Sequence, residues 1–214
     1  MSSGSTAPIV TPNERESKRS SPEAALDELI AGNLRFTSGR TSVYRRDLAI
    51  LQQMMEKQEP FAAVLSCADS RVPVEVVFDQ TIGQLFVTRV AGNIVTPEIV
   101  ASLEYAAAVL GTNMILVMGH SRCGAVTAAI QASPQAADQG PPVPGQISAL
   151  FPYIEPAVEQ AGPDLEATIR ANALLQAARL RESPLLSAMI EDGKLKVAVG
   201  YFDIRTGAVT LLEQ

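Results

Sequence analysis

Along the middle of this chain, short apolar runs alternate with stretches whose apolar residues recur every three or four positions. Residues 61–66 (Phe61-Ala62-Ala63-Val64-Leu65-Ser66) and 113–119 (Asn113-Met114-Ile115-Leu116-Val117-Met118-Gly119) are almost continuously apolar. They lack the every-second-residue alternation of a strand with one wet face, so they predict strands buried on both sides. A third strand is expected over 85–90. Helical stretches separate and follow them: one from Pro73 to Phe78, one over 97–110 and one from Cys123 to Ala132. This alternation predicts an α/β fold with a central, mostly parallel sheet flanked by helices.

The flanks complete the outline. Ser21-Pro22 joins a favoured N-cap residue to a proline at the first helical position. Leu26, Leu29, Ile30 and Leu34 then form one apolar stripe over 22–36, which suits either core packing or a dimer arm. A second helix is expected over 46–57. Residues 133–145, crowded with Pro, Gly, Gln and Ala, read as a surface loop. The remainder is helical until two strands, 195–202 and 209–212, joined across Asp203-Ile204-Arg205-Thr206-Gly207, the last of them a C-terminal edge strand. Residues 1–20 are rich in Ser, Thr, Pro and charge, with little to bury, and are expected to be disordered or draped on a partner. Residues 21–214 then make a single domain that begins with an N-terminal helical arm.

Composition narrows the function classes. Hydrophobic residues make up 47% of the chain, enough for a sizeable core. With 17 basic against 23 acidic residues the net charge is -6, and no basic run exceeds Lys18-Arg19 or Arg45-Arg46. Nothing here recruits nucleic acid or an anionic membrane. No apolar stretch approaches the roughly 20 residues of a membrane span. The N-terminus has no apolar export core, and a cytoplasmic location is expected.

All the imidazole and thiol of the chain lies in two short motifs. Its one histidine, His120, stands three residues before Cys123; the other cysteine is Cys67. Each motif sits at the carboxyl end of an expected strand, the edge of an open α/β sheet where sites form. A disulfide would need an oxidising compartment, and two buried thiols beside a satisfied core histidine are also compatible with the pattern. His-x-x-Cys alone does not separate these readings. The placement of both motifs favours a Cys, His, Cys metal site, and those donors suit zinc. Three ligands leave one position of a tetrahedron open, as catalytic zinc requires. Asp69 and Arg71 follow Cys67 closely enough for a guanidinium to fix an ionised carboxylate near the metal, although a loop salt bridge of little consequence fits the spacing too.

Taken together, Cys67-Ala68-Asp69-Ser70-Arg71-Val72-Pro73, Phe86-Val87-Thr88-Arg89-Val90-Ala91-Gly92-Asn93 and Gly119-His120-Ser121-Arg122-Cys123-Gly124-Ala125-Val126 resemble the β-class carbonic anhydrases. The resemblance runs from the Leu34-Arg35-Phe36 helix to the Phe202-Asp203-Ile204 strand. It implies that Cys67, His120 and Cys123 hold Zn2+, and that the Asp69–Arg71 dyad orients a zinc-bound hydroxide that hydrates carbon dioxide reversibly to bicarbonate and a proton. In the inactive form known for the family, Asp69 would instead become the fourth ligand. It further implies that Gln58 hydrogen-bonds substrate, that Phe86, Ala91 and Tyr105 line an apolar pocket, and that the pocket lies between the chains of a homodimer or higher homo-oligomer. Relatives on this scaffold also hydrolyse carbonyl sulfide or carbon disulfide, and a zinc protein without catalysis is a further alternative, which the presence of both Asp69 and Arg71 disfavours. Several positions depart from the family pattern: Arg122 replaces a small residue, Gln84 an acidic one, and Phe202 and Val64 stand where members with a second, inhibitory bicarbonate site carry Tyr and Trp.

Overall fold

The computed structural model describes residues 16–42, 48–134, 136 and 143–214. Strands β1 (Ala62–Ser66), β2 (Leu85–Arg89), β3 (Met114–His120), β4 (Lys196–Phe202) and β5 (Val209–Glu213) form one sheet in the order β2-β1-β3-β4-β5. The first four are parallel, and β5 returns antiparallel as the edge. Every residue of β1 and β3 is buried, as their unbroken apolar sequences require.

Around the sheet lie the α-helices α1 (Pro22–Thr37), α2 (Leu48–Gln53), α3 (Val74–Val77), α4 (Pro97–Glu104), α5 (Gly124–Ala132), α6 (Phe151–Ala161), α7 (Leu165–Arg181) and α8 (Pro184–Glu191). On one face, Leu26 and Leu29 of α1 and Val74 and Val77 of α3 pack against Ala62, Val64 and Leu116. On the other, Leu103 of α4, Ala173, Ala177 and Leu180 of α7 and Leu186 of α8 cover Ala63, Leu65, Ile115 and Val117. Gly119 lets α7 approach β3 closely, since a Cβ there would stand 3.2 Å from Ile169 Cγ2 and 3.3 Å from Ala173 Cβ.

The start of α1 follows its sequence signals. Ser21 caps it by accepting the Ala24 N–H at 3.1 Å, an interaction that contributes about 1 kcal/mol. The stripe on α1 is narrower than its spacing suggested: Leu26 and Leu29 are buried, but Leu34 is 63% exposed near the helix end. The helix expected over 46–57 is regular only over α2, with 43–47 outside the described residues. The helix expected over 97–110 is regular to Glu104 and then widens into a π turn, Tyr105–Val109, a form that periodicity does not distinguish from an α-helix. Of the expected loop 133–145, residues 135 and 137–142 lie outside the described residues, as do residues 1–15 of the expected arm. Arg19 ties its segment to the body, donating from Nη2 to the Leu110 carbonyl at 2.8 Å and from Nη1 to the Pro60 carbonyl at 3.2 Å. No helix of the described residues is long and apolar enough to cross a membrane.

Candidate metal centre

The sheet brings the two motifs together. Parallel pairing sets Ser66 of β1 beside Met118 of β3, so Cys67 leaves one strand where His120 ends the next. Ser121 and Arg122 then turn the chain, Arg122 at a left-handed φ of 57°, and Cys123 becomes the N-cap residue of α5. The ligand atoms of Cys67, His120 and Cys123 all lie within 4.8 Å of one another, and all three residues are buried.

The three donors differ in how far their surroundings suit a cation. The two cysteines are free, with sulfurs 4.0 Å apart, close to the edge of about 3.8 Å expected for two thiolates on one tetrahedral zinc. His120 Nδ1 lies 2.9 Å from the Ser121 carbonyl. Donation of Nδ1–H to that oxygen fixes the tautomer that leaves a lone pair on Nε2. Nε2 is itself buried without a hydrogen-bond partner, an orphan that a metal ion would satisfy. The thiols are unequal: their shared hydrogen bond draws Cys67 far below the usual thiol range and pushes Cys123 up. Burial opposes the first shift and adds to the second, while the Gly92 N–H, 3.3 Å from Cys67 Sγ, favours the thiolate. Two sulfurs and one imidazole nitrogen make a donor set that fits zinc.

Asp69 and Arg71 form a two-pronged pair beside these ligands. Arg71 Nε donates to Asp69 Oδ1 at 3.0 Å and Nη2 to Oδ2 at 2.8 Å, and the Arg71 N–H donates to Oδ1 at 2.9 Å. The Arg71 bond chiefly holds the Asp69 carboxyl down to about 2, with nearby His120 acting in the same direction. Arg71 Nη2 also reaches the Arg122 carbonyl at 3.3 Å, joining the two ligand loops. Arg71 and Arg122 line a cavity of about 490 Å³ with Ser121, Glu166, Tyr201 and Asp203.

The pocket residues expected from the sequence divide. Ala91 precedes Gly92 in the turn that meets Cys67. Phe86 and Tyr105 approach each other, ring centroids 6.5 Å apart. Gln58 and Tyr105 instead line a second cleft of about 650 Å³ with Met54, Met55, Val109 and Leu110, which contains none of the three ligands. Supporting residues were given no role from the sequence. Arg89, quoted there only within its motif, donates from Nε to the Cys67 carbonyl at 2.9 Å and from Nη2 to the Asp69 carbonyl, holding the loop after Cys67. Its signal was its register, since Arg89 pairs with Ser66. Asn172 and Gln176, which brace the Gly92 turn from α7, carry no motif.

Comparison with known proteins places the chain in a family. A family model described as carbonic anhydrase matches residues 62–209. The chain is 36% identical over 198 residues to a carbonic anhydrase of Pseudomonas aeruginosa, covering 87% of each. With carbonic anhydrase 2 of Mycobacterium tuberculosis the identity is 41% over 111 residues, a match that spans about half of that relative's length, 54%. Among solved structures, the β-carbonic anhydrase CcaA superposes with a TM-score of 0.69 at 26% identity, over 88% of this chain and 95% of that one. A structure from a study of two tetrameric β-carbonic anhydrases of Sordaria macrospora superposes at 0.66 with 23% identity, over 89% and 94%.

Proposed function

This chain belongs to the β-class carbonic anhydrases, and on that footing we propose that it hydrates carbon dioxide reversibly to bicarbonate and a proton, with zinc held by Cys67, His120 and Cys123. The observation that carries the reading is the convergence of three buried donors within 4.8 Å, His120 Nε2 among them without a partner. Zinc bound there would lower the pKa of a coordinated water from about 15.7 to about 7, supplying a nucleophile at neutral pH.

The remaining work falls to side chains. Asp69, kept ionised and planar by Arg71, accepts a hydrogen bond from the attacking water and fixes its direction. Phe86, Ala91 and Tyr105 provide an apolar surface for carbon dioxide, and Gln58 a hydrogen bond to the substrate. Gln58 and Tyr105 line a cleft apart from the ligands, which supports a site completed by a second copy of the chain. Exposed Met55 and Val109 beside them are suited to that contact, and the Sordaria proteins are described as tetrameric. We read residues 21–214 as one catalytic domain. The two free thiols favour a reducing compartment, the cytoplasm.

No histidine remains to carry the product proton, because the single one is a ligand. Stopped-flow hydration by the zinc-loaded protein should therefore accelerate with buffer concentration and vanish when a chelator removes the metal. A zinc-loaded chain without hydration at any pH overturns the reading; a rate independent of buffer overturns only its proton route.

A further inference from the structure

The turn that meets Cys67 is held from inside and from outside. Gly92 and Asn93 both occupy the left-handed region, at φ 76° and 43°, and a non-glycine residue there is strained unless its surroundings hold it. Within the turn, the Asn93 N–H donates to the Val90 carbonyl at 2.9 Å. The bracing from outside comes from α7. Asn172 Nδ2 donates to the Gly92 carbonyl at 2.9 Å, and Gln176 Oε1 accepts the Val95 N–H at 2.8 Å. Gln176 Nε2 in turn donates to Asn172 Oδ1 and to the Tyr153 carbonyl, both at 2.9 Å. Both amide side chains are fully buried, on a helix whose neighbouring inward positions are Ile169, Ala173, Ala177 and Leu180. An unpartnered primary amide buried there would be costly; these are satisfied by bonds that bracket the turn at both ends.

The Gly92 N–H is the group this bracket aims, 3.3 Å from Cys67 Sγ. A hydrogen bond to a ligating sulfur draws charge from it, so it donates less to the cation and leaves the cation more acidic. Resting on the metal reading above, we infer that Asn172 is a positioning residue for the metal centre, with Gln176 behind it: together they hold the Gly92 amide on the Cys67 sulfur. The pair links the long helix behind the sheet to the electronic state of the site, without touching ion or substrate.

Cobalt in place of zinc gives the readout, through its thiolate-to-metal charge-transfer absorption, together with the rate at which the zinc form yields its ion to a chelator. Asn172→Leu keeps the volume and deletes the bonds. Its charge-transfer band should move from the wild-type position, and zinc should leave about 10–100-fold faster, the usual effect of losing an outer-shell partner. Leu180→Ala, on the same helix and fully buried, should loosen the packing yet leave the band in place. Should Asn172→Leu fail to fold, Gln176→Met removes the bracket from its other end and is expected to shift the band in the same direction. A folded Asn172→Leu or Gln176→Met protein with the wild-type band and release rate overturns the inference, as does an equal shift in Leu180→Ala. Absence of any cobalt band in the unaltered chain overturns the metal reading, and this inference with it.

Discussion

The part proposed for Asp69 rests on Arg71 leaving it one conformation. Both carboxylate oxygens are engaged by a planar guanidinium, so the acid cannot rotate, and what remains of its lone pairs points along fixed directions. Lysine supplies charge without that fork. Arg71→Lys should therefore retain the metal but lose about 10-fold or more in kcat/KM, while Asp69→Asn, which removes the acceptor charge, should lose about 100-fold or more. Metal content measured beside stopped-flow rates separates the two effects. If Asp69→Asn hydrates at the wild-type rate with its metal in place, the carboxylate has no part in the reaction. Arg122 differs from both. It lines the neighbouring cavity, its left-handed φ of 57° makes the tight step between His120 and Cys123, and its exposed side chain takes no part in the ligand set.

At the scale of elements, α1 is fastened by charge as well as by its apolar stripe. Glu28 accepts from Lys18 Nζ at 3.1 Å, Arg35 Nη2 at 3.0 Å and Gln80 Nε2 at 2.9 Å. Arg35 also donates from Nε to the buried carboxylate of Asp79 at 2.6 Å. Burial alone would raise the Glu28 carboxyl, but Gln80, Lys18 and Arg35 outweigh it and hold its pKa below the ordinary 4.5. The unfolded chain then binds this proton first as pH falls, so the stabilisation is complete above about 4.5 and is lost below it. Glu28→Gln should be about 1–2 kcal/mol less stable at neutral pH, and its melting temperature should fall less steeply with acidification; parallel slopes for the two proteins would exclude Glu28 from the acid response. The elements themselves were largely legible. Continuous apolar runs announced β1 and β3, and Ser21-Pro22 announced α1. The convergence of Cys67, His120 and Cys123 was legible because each motif is local and lies next to a strand end. The roles of Arg89, Asn172 and Gln176 were not, although Arg89 stands in a quoted motif, because they act across the sheet or from a distant helix, and a polar residue on an otherwise apolar helix face has no period of its own. The π turn at 105–109 escaped for a related reason: apolar spacing records a helical face and not the width of its last turn.

For the whole molecule, the place of Gln58 and Tyr105 bears on whether the proposed site takes one chain or two. Gln58 and Tyr105 line a cleft with Met54, Met55, Val109 and Leu110 that contains none of the buried candidate ligands Cys67, His120 and Cys123. Leu48 is 67% exposed, Met55 78% and Val109 65%, apolar surface whose burial against a second copy would be favourable. In the proposed site, two copies exchanging Gln58 and Tyr105 would bring these residues to the candidate ligands. A charge placed in such a contact without a partner costs several kcal/mol, and about 3 kcal/mol corresponds to about a 100-fold weaker association. Val109→Glu should consequently sediment as a smaller species than the unaltered protein and lose hydration as it dissociates, with zinc still bound to Cys67, His120 and Cys123. Activity that returns as protein concentration rises would tie the reaction to association by mass action. A Val109→Glu protein that keeps both its mass and its rate would place the contact on another face and return Gln58 and Tyr105 to their own chain.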